Sequence, residues 1–500
     1  MNRQWCARVL CGIVFAALAG CSVGTPYRRP DIHLPQAWRE PVREDPADGS
    51  TAATSAGTTS TGAAPAGATS AGATSGGAAS ASVWPAADWW RSFGSARLDE
   101  LIAEAQRSND DLAGAIARVQ EADAQARIAG APLLPSLDAD ASATRERANV
   151  TGVAGNRSVF NVFNPELTAS YELDFWGKNR ALRDTARAAA AASRYDRQTV
   201  ALTVISSVAT AYFQALELRD RIQVAQQNFE NGRKILHGLM LEQSAGTATG
   251  LDVAQQDTAV ALLYAAIPPL EEQFRQTVYA LAVLIGKSPV SVDVDSGTLT
   301  ELTGPAVIAG LPSQLLSRRP DIASAEQQLI AANADITAAR AALFPSINLT
   351  ASGGYESIML SSLVNPANRV YAVSAGLTQP IFHGGALRGE LAYSRARYAE
   401  LLTTYHKTVL TAFGNVENAL VAARQTAEQR QRQQQAVASA RRAYEFAQAQ
   451  MAAGTVNVLT VLNTENALFS AQDTLVQVQY AHLQALVDLF TALGGGWHEG

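Results

Sequence analysis

Residues 132–142 read PLLPSLDADAS, and residues 342–352 read ALFPSINLTAS. Pro135 and Pro345, Ser136 and Ser346, and Ala141 and Ala351 stand at a constant offset of 210. In both places a long Ala-rich stretch of helical period ends at proline, which cannot continue a helix. The period then changes to two. Leu137, Ala139, Ala141 and Ala143 alternate with Asp138, Asp140, Ser142 and Thr144, the pattern of a strand with one apolar face.

A second strand follows, with Leu167, Ala169, Tyr171, Leu173 and Phe175 alternating with Thr168, Ser170, Glu172 and Asp174. A polar loop from Arg145 to Asn161, long for a hairpin, separates the two. Beyond Gly177, helical character runs from about Leu182 to Gln243, roughly 90 Å at 1.5 Å per residue. Its apolar residues (Leu202, Ile205, Ala209, Tyr212, Leu216, then Ile222, Ala225, Phe229, Gly232, Leu236, Leu239) keep coiled-coil spacing with one slip of phase. A turn at Ala245–Gly250 leads to a second helix, Leu251 to Ile285.

The other half repeats this order. Arg319-Pro320-Asp321 opens a helix that Pro345 closes. Two strands carry Ile347, Leu349, Ala351 and Tyr355, then Tyr371, Val373, Ala375 and Leu377. Gly384-Gly385 opens a helix of about 65 residues reaching Met451. Ala453-Gly454-Thr455 then repeats Ala245-Gly246-Thr247 at an offset of 208, and a last helix runs to Leu493. The chain is a tandem duplication of helix, hairpin, long helix, turn and helix.

The N-terminus sets the compartment. Arg3 and Arg8 flank a short apolar run, Val9 to Ala19, which has the shape of a secretory signal and is too short to span a bilayer. It ends in Leu18-Ala19-Gly20-Cys21, which resembles a bacterial lipobox. We expect residues 1–20 to be a signal peptide and 21–48 a lipid-anchored segment, with Cys21 carrying a diacylglycerol thioether and an N-terminal palmitate. Ser22, in place of the Asp that retains lipoproteins in the inner membrane, favours the outer membrane. Residues 49–83 are almost wholly Ala, Gly, Ser and Thr and read as a flexible linker. No later segment offers 18 uninterrupted apolar residues.

Alternating strands of about ten residues, each hairpin with its long polar loop at one end only, carry the pattern of a transmembrane β-barrel. A soluble sheet packing one face on helices is the competing expectation. Four strands cannot close a barrel, because edge backbone groups would face hydrocarbon unsatisfied. Association of two, three or four copies would give eight, twelve or sixteen strands. Helix 457–492 carries two apolar stripes, one through Leu468, Leu475, Ala485 and Leu489, the other through Phe469, Val476, Leu483, Val487 and Phe490. A helix with two seams is flanked on both sides.

Several phrases identify a family. Trp89-Trp90-Arg91-Ser92-Phe93, Asn109-Asp110-Asp111-Leu112 with Ala117-Arg118-Val119, Arg318-Arg319-Pro320-Asp321-Ile322, Ala342-Leu343-Phe344-Pro345-Ser346-Ile347 and Leu493-Gly494-Gly495-Gly496-Trp497 occur in this order over residues 84–497. In this the chain resembles the outer-membrane factors of tripartite efflux systems, the TolC-like efflux proteins, in their lipoprotein branch. The resemblance divides the chain into a first efflux repeat, 84–300, and a second, 301–497. It implies a mixed α and β fold: a homotrimer whose twelve-stranded outer-membrane β-barrel, four strands per chain, continues into a twelve-helix periplasmic α-barrel. The implied partners are outer-membrane lipid, a periplasmic membrane-fusion adaptor and an inner-membrane pump, commonly of the resistance-nodulation-division type. The protein itself would be a passive duct for small molecules such as drugs.

In that family Leu and Asp rings close the tunnel at its periplasmic tip. By the AGT-x-x-x-L phrase Leu459 stands at the Leu ring, and Asn463 stands where the family often has Asp. Asp252, beside the other turn, is the candidate for the missing charge. Ordinary seam packing for Leu459, and solvated helix starts for Asn463 and Asp252, are the plainer readings.

Other chemistries are poorly supported. The net charge of -6 comes without a basic stripe, which argues against nucleic acid. Ile285-Gly286-Lys287-Ser288 lacks the first P-loop glycine and reads as a helix C-cap. Six scattered His and no Cys partner give no metal site, and no nucleophile cluster marks an enzyme. The competitors are a duct of a type I protein secretion system on the same fold and a coiled-coil lipoprotein with no pore.

Overall fold

The computed structural model describes residues 23–32, 37–39, 85–149, 157–294, 296–305 and 312–497. Cys21, the signal peptide and the 49–83 linker lie outside them. The described elements are α1 (Ala96–Ser108), α2 (Asp110–Gly130), β1 (Ser136–Asn149), β2 (Arg157–Leu173), α3 (Lys178–Ser244), α4 (Gly250–Ala265), α5 (Ile267–Leu284), α6 (Pro320–Ala341), β3 (Ser346–Tyr355), β4 (Arg369–Thr378), α7 (Ala386–Ala452) and α8 (Val458–Ala492). The duplication is faithful in length as well as order. Helices α3 and α7 each hold 67 residues, and their first residues stand 208 positions apart.

The chain divides into two compact units. One draws on Gln106–Val204 and Arg319–Ala412 with the N-terminal stretch up to His33. It contains α2, α6 and an antiparallel sheet in the order β1-β2-β3-β4, the one sheet among the described residues. Register makes the sheet two-faced. Leu137 pairs with Ala169, Ala169 with Ala351 and Ala351 with Val373, so one apolar row crosses all four strands. Next to it on the opposite face runs a polar row, Ser136, Ser170, Thr350 and Ser374, with Ser136 and Ser170 bonded at 2.8 Å.

The strand-to-helix switch after β2 is built from side chains. Asp174 accepts the backbone N–H of Asn179 and Arg180, both at 2.9 Å, which satisfies orphan donors at the start of α3. Gly177, with φ 81, supplies the left-handed step. Trp176 stacks on Phe344 at 4.7 Å between centroids and donates its indole N–H to Pro345 O at 2.8 Å. The corner leaving β2 is thereby fastened to the corner entering β3.

The other unit draws on Leu34–Ala105, Ile205–Arg318 and Phe413–Gly500. It is helical, and its helices pack through their coiled-coil faces. Val437, Tyr444 and Ala447 of α7 meet Val461 and Leu468 of α8. Leu218 and Ala225 of α3 meet Ile267 and Leu270 of α5. Trp89 and Phe93 wedge against Phe490, Trp89 stacking on it at 4.9 Å. Ile205, Val208, Ala209, Tyr212, Phe213 and Leu216, all buried, explain why α3 is apolar. Among the described residues it is the one helix that passes a length-and-composition test for crossing a membrane.

Three expectations need correction. The helix expected over Leu251–Ile285 is two helices, because Pro268 and Pro269 leave amides missing and the ladder restarts at Ile267. Strands β1 and β2, with 14 and 17 residues, run well past the ten expected. They continue into Arg145–Asn149 and begin at Arg157, consuming most of the expected loop. Helix α3 begins at Lys178 rather than near Leu182, because the Asp174 cap lets it start earlier.

Candidate functional site

Among the described residues, nothing covers the apolar face of the sheet. Leu137 is 70% exposed and Val373 80%, and Leu167, Tyr371 and Leu377 are also exposed. Every residue of β4 is exposed. Strands β1 and β4 each have one neighbour only, leaving two edges of backbone donors and acceptors. Phe175, Trp176 and Phe344 gather where β2 ends and β3 begins, as aromatic side chains do at a membrane–water boundary.

The two helix turns are the second region of interest, and they are the same structure twice. After α3, Gly246 with φ 77 donates to Gln243 O, and Thr247 N and Oγ1 both donate to Glu242 O. After α7, Gly454 with φ 69 donates to Met451 O, and Thr455 N and Oγ1 both donate to Gln450 O. Each is a left-handed glycine stop that satisfies the last carbonyls of its helix. The following helices are capped by Thr249 and Asn457. Leu239, Val458 and Leu462 form a small apolar cluster joining the two turns, with Val253 and Met451 against it.

Of the proposed gate residues, Leu459 and Asn463 lie on the exposed side of α8 while Val458, Val461 and Leu462 face inward. Leu459 is 47% exposed, so this chain's own seam does not occupy it. Asp252 is engaged locally. Its carboxylate accepts Thr249 N at 2.9 Å and Thr249 Oγ1 at 2.6 Å, while its own N–H donates back to Thr249 Oγ1 at 3.2 Å. These bonds, the hydroxyl's first, hold the carboxyl below its ordinary range, so Asp252 is an anion fixed in a capping box.

One charged group in this region escaped the sequence reading. Glu465 is 3% exposed on the inward face of α8, and its Oε1 has no hydrogen-bond partner. Burial pushes the carboxyl up to about 7. The signal was present: a Glu at seam spacing from Val461 and Leu468. Further along α8, Asp473 pairs with Arg221 at 2.6 Å, and Arg221 pairs with Glu217 at 3.0 Å. His482, buried and bonded to Thr426 at 3.1 Å, is pushed down to about 4 chiefly by burial and stays neutral. Ile285-Gly286-Lys287 is a helix stop of the same glycine type, Gly286 having φ 71 and Lys287 N donating to Ala282 O. Among the described residues no group of three or more His, Cys, Asp or Glu could hold a metal.

Comparison with known proteins agrees with this architecture. A family model described as outer membrane efflux protein matches residues 101–287 and 311–495. The chain is 43% identical over 420 residues to the pyoverdine export outer membrane protein OpmQ of Pseudomonas aeruginosa, covering 82% of this chain and 87% of that one. It is 33% identical over 421 residues to the probable efflux pump outer membrane protein TtgC of Pseudomonas putida, covering 82% and 85%. The solved structure of the outer-membrane channel OprN superposes with a TM-score of 0.83 at 26% identity, covering 95% of this chain and 100% of that one.

Proposed function

The chain belongs to the outer membrane efflux protein family, and from that premise we propose that it is the passive outer-membrane channel of a tripartite efflux pump. Three copies would close their twelve strands into a barrel and their helices into a periplasmic tunnel. A periplasmic membrane-fusion adaptor and an inner-membrane pump, of the resistance-nodulation-division type, complete the path, and the pump supplies the energy. The observation that carries this reading is the four-stranded sheet whose apolar face and both edges are unoccupied in one chain. A closed barrel in lipid gives each of those groups a partner.

A lipid on Cys21, with diacylglycerol on sulfur and palmitate on the amine, anchors the same molecule to the outer membrane. Support comes from Val23, whose carbonyl accepts from Arg340 Nη1 at 2.8 Å near the end of α6. Arg340 precedes the first residue of β3 by six positions. Val23 is thereby held close to the start of β3, and Cys21 stands two positions before it in the sequence.

At the turns, Leu459 closes the resting tunnel and Asn463 lines it one helical turn further on. An Asn there keeps hydrogen-bonding capacity and drops three negative charges per trimer, while Asp252, held in its cap, supplies fixed charge beside the other turn. The relatives, OpmQ for pyoverdine export and TtgC for a probable efflux pump, favour efflux over protein secretion for this chain too.

The test is reconstitution of the purified protein in planar bilayers with its mass measured in detergent. A trimer with discrete conductance steps is expected, and Leu459→Ala should raise single-channel conductance at least twofold. A monomer without conductance would overturn the channel, and unchanged conductance in Leu459→Ala would remove Leu459 from the gate.

A further inference from the structure

Residues Val23 to Arg29 lie along α6 in an order opposite to that of the helix. Arg340 Nη1 donates to Val23 O at 2.8 Å, and Asn333 Nδ2 donates to Thr25 O at 3.1 Å. Arg29 Nε donates to Glu326 at 2.7 Å, its second nitrogen forms a shorter ion pair with the other carboxylate oxygen, and Tyr27 OH donates at 3.3 Å. Gly24 sits so close to Thr337 that a Cβ would overlap its side chain. Positions 326, 333, 337 and 340 form one stripe of the helix.

The segment is pinned near both ends and in between, by Arg340, Asn333 and Glu326, and it cannot slide along the helix without losing the fork between Arg29 and Glu326. Glu326 is 8% exposed, so removing its guanidinium leaves a buried carboxylate uncompensated.

We propose that Val23–Arg29 is a ruler. It sets the distance between the lipid on Cys21 and the strand entrances, so that acyl chains and barrel enter the membrane at one depth. Glu326 and Thr337 are its positioning residues. The proposal rests on the lipid-anchor reading above, and adds that the anchor's position, not merely its presence, drives insertion.

The experiment expresses the full chain in cells lacking it. It measures radiolabelled palmitate per chain, SDS-resistant trimer in outer membranes, and the melting temperature of the purified trimer. Two variants are compared with the parent: Glu326→Ala, and a Gly-Ser-Gly-Ser insertion between Ser22 and Val23, which leaves every clamp contact intact. The same insertion between Asp48 and Gly49 is the control.

We expect both variants to take up palmitate like the parent and to yield at least fivefold less outer-membrane trimer, with the control unchanged. The Ser22/Val23 insertion should leave the melting temperature of the residual trimer unaltered, which a merely structural strap would not separate from assembly. Parental trimer levels in that insertion, with label present, overturn the ruler and leave the lipid reading standing. An unlabelled parent overturns both.

Discussion

At Glu465 a carboxyl group occupies a seam position that Val461 and Leu468 flank with apolar contacts. Its protonated form fits that site and its anion does not. The folded value of about 7 lies above the ordinary 4.5, so stability is complete below about pH 4.5 and is lost as pH rises through 7. Glu465→Gln should therefore stabilise the helical unit at pH 8 by about 2–3 kcal/mol per chain and do little at pH 4. Melting curves by circular dichroism at both values check this, and a gain that is equal at both would remove ionisation as the cause. Asp252 has the opposite sign. Its capping bonds to Thr249 favour the anion, and that stabilisation is present at neutral pH and fades only in acid.

At the scale of elements, the two turns share one geometry. Gly454 holds φ 69 at the end of α7, a conformation a β-branched residue adopts only with strain. Gly454→Val should cost about 1–2 kcal/mol locally, a figure set by left-handed strain. Hydrogen exchange of the amides at 451–458 should then accelerate roughly tenfold, while α3 and its turn stay protected. These turns were legible beforehand because AGT occurs twice at an offset of 208 and glycine after a long helix has one common use. The break between α4 and α5 was not. Pro268 and Pro269 fall inside a run whose apolar spacing continues on both sides, and proline at the first turn of a new helix looks the same in sequence as proline at a kink. Strand ends were misjudged for a related reason. Arg145, Glu146 and Arg147 abandon the apolar alternation, yet the ladder to Val159, Phe160 and Asn161 carries on through backbone bonds that composition does not reveal.

For the whole molecule, the sheet is where a single change should matter most. Val373→Arg puts a charge on the row that runs from Leu137 through Ala169 and Ala351. Near the middle of a bilayer this costs about 2–4 kcal/mol for each copy. The amount of SDS-resistant trimer in outer membranes should fall by more than tenfold, whereas Ser374→Arg on the opposite face should be tolerated. Equal losses in both variants would argue against lipid on the Val373 side. The row itself was readable from alternation, and the duplication from the repeated phrases. The course of residues 23–29 was not, since Arg29 and Glu326 are 297 positions apart and no local period links them.

The open face of the sheet also makes abundance a folding variable. A solitary polypeptide presents bare ladder edges and greasy side chains to an aqueous compartment, and nothing among the described residues hides them. If three copies close the barrel as proposed, dilution, slow export or uneven synthesis each prolong the hazardous interval. Thermal resistance quoted without a protein concentration would therefore describe the preparation rather than the molecule.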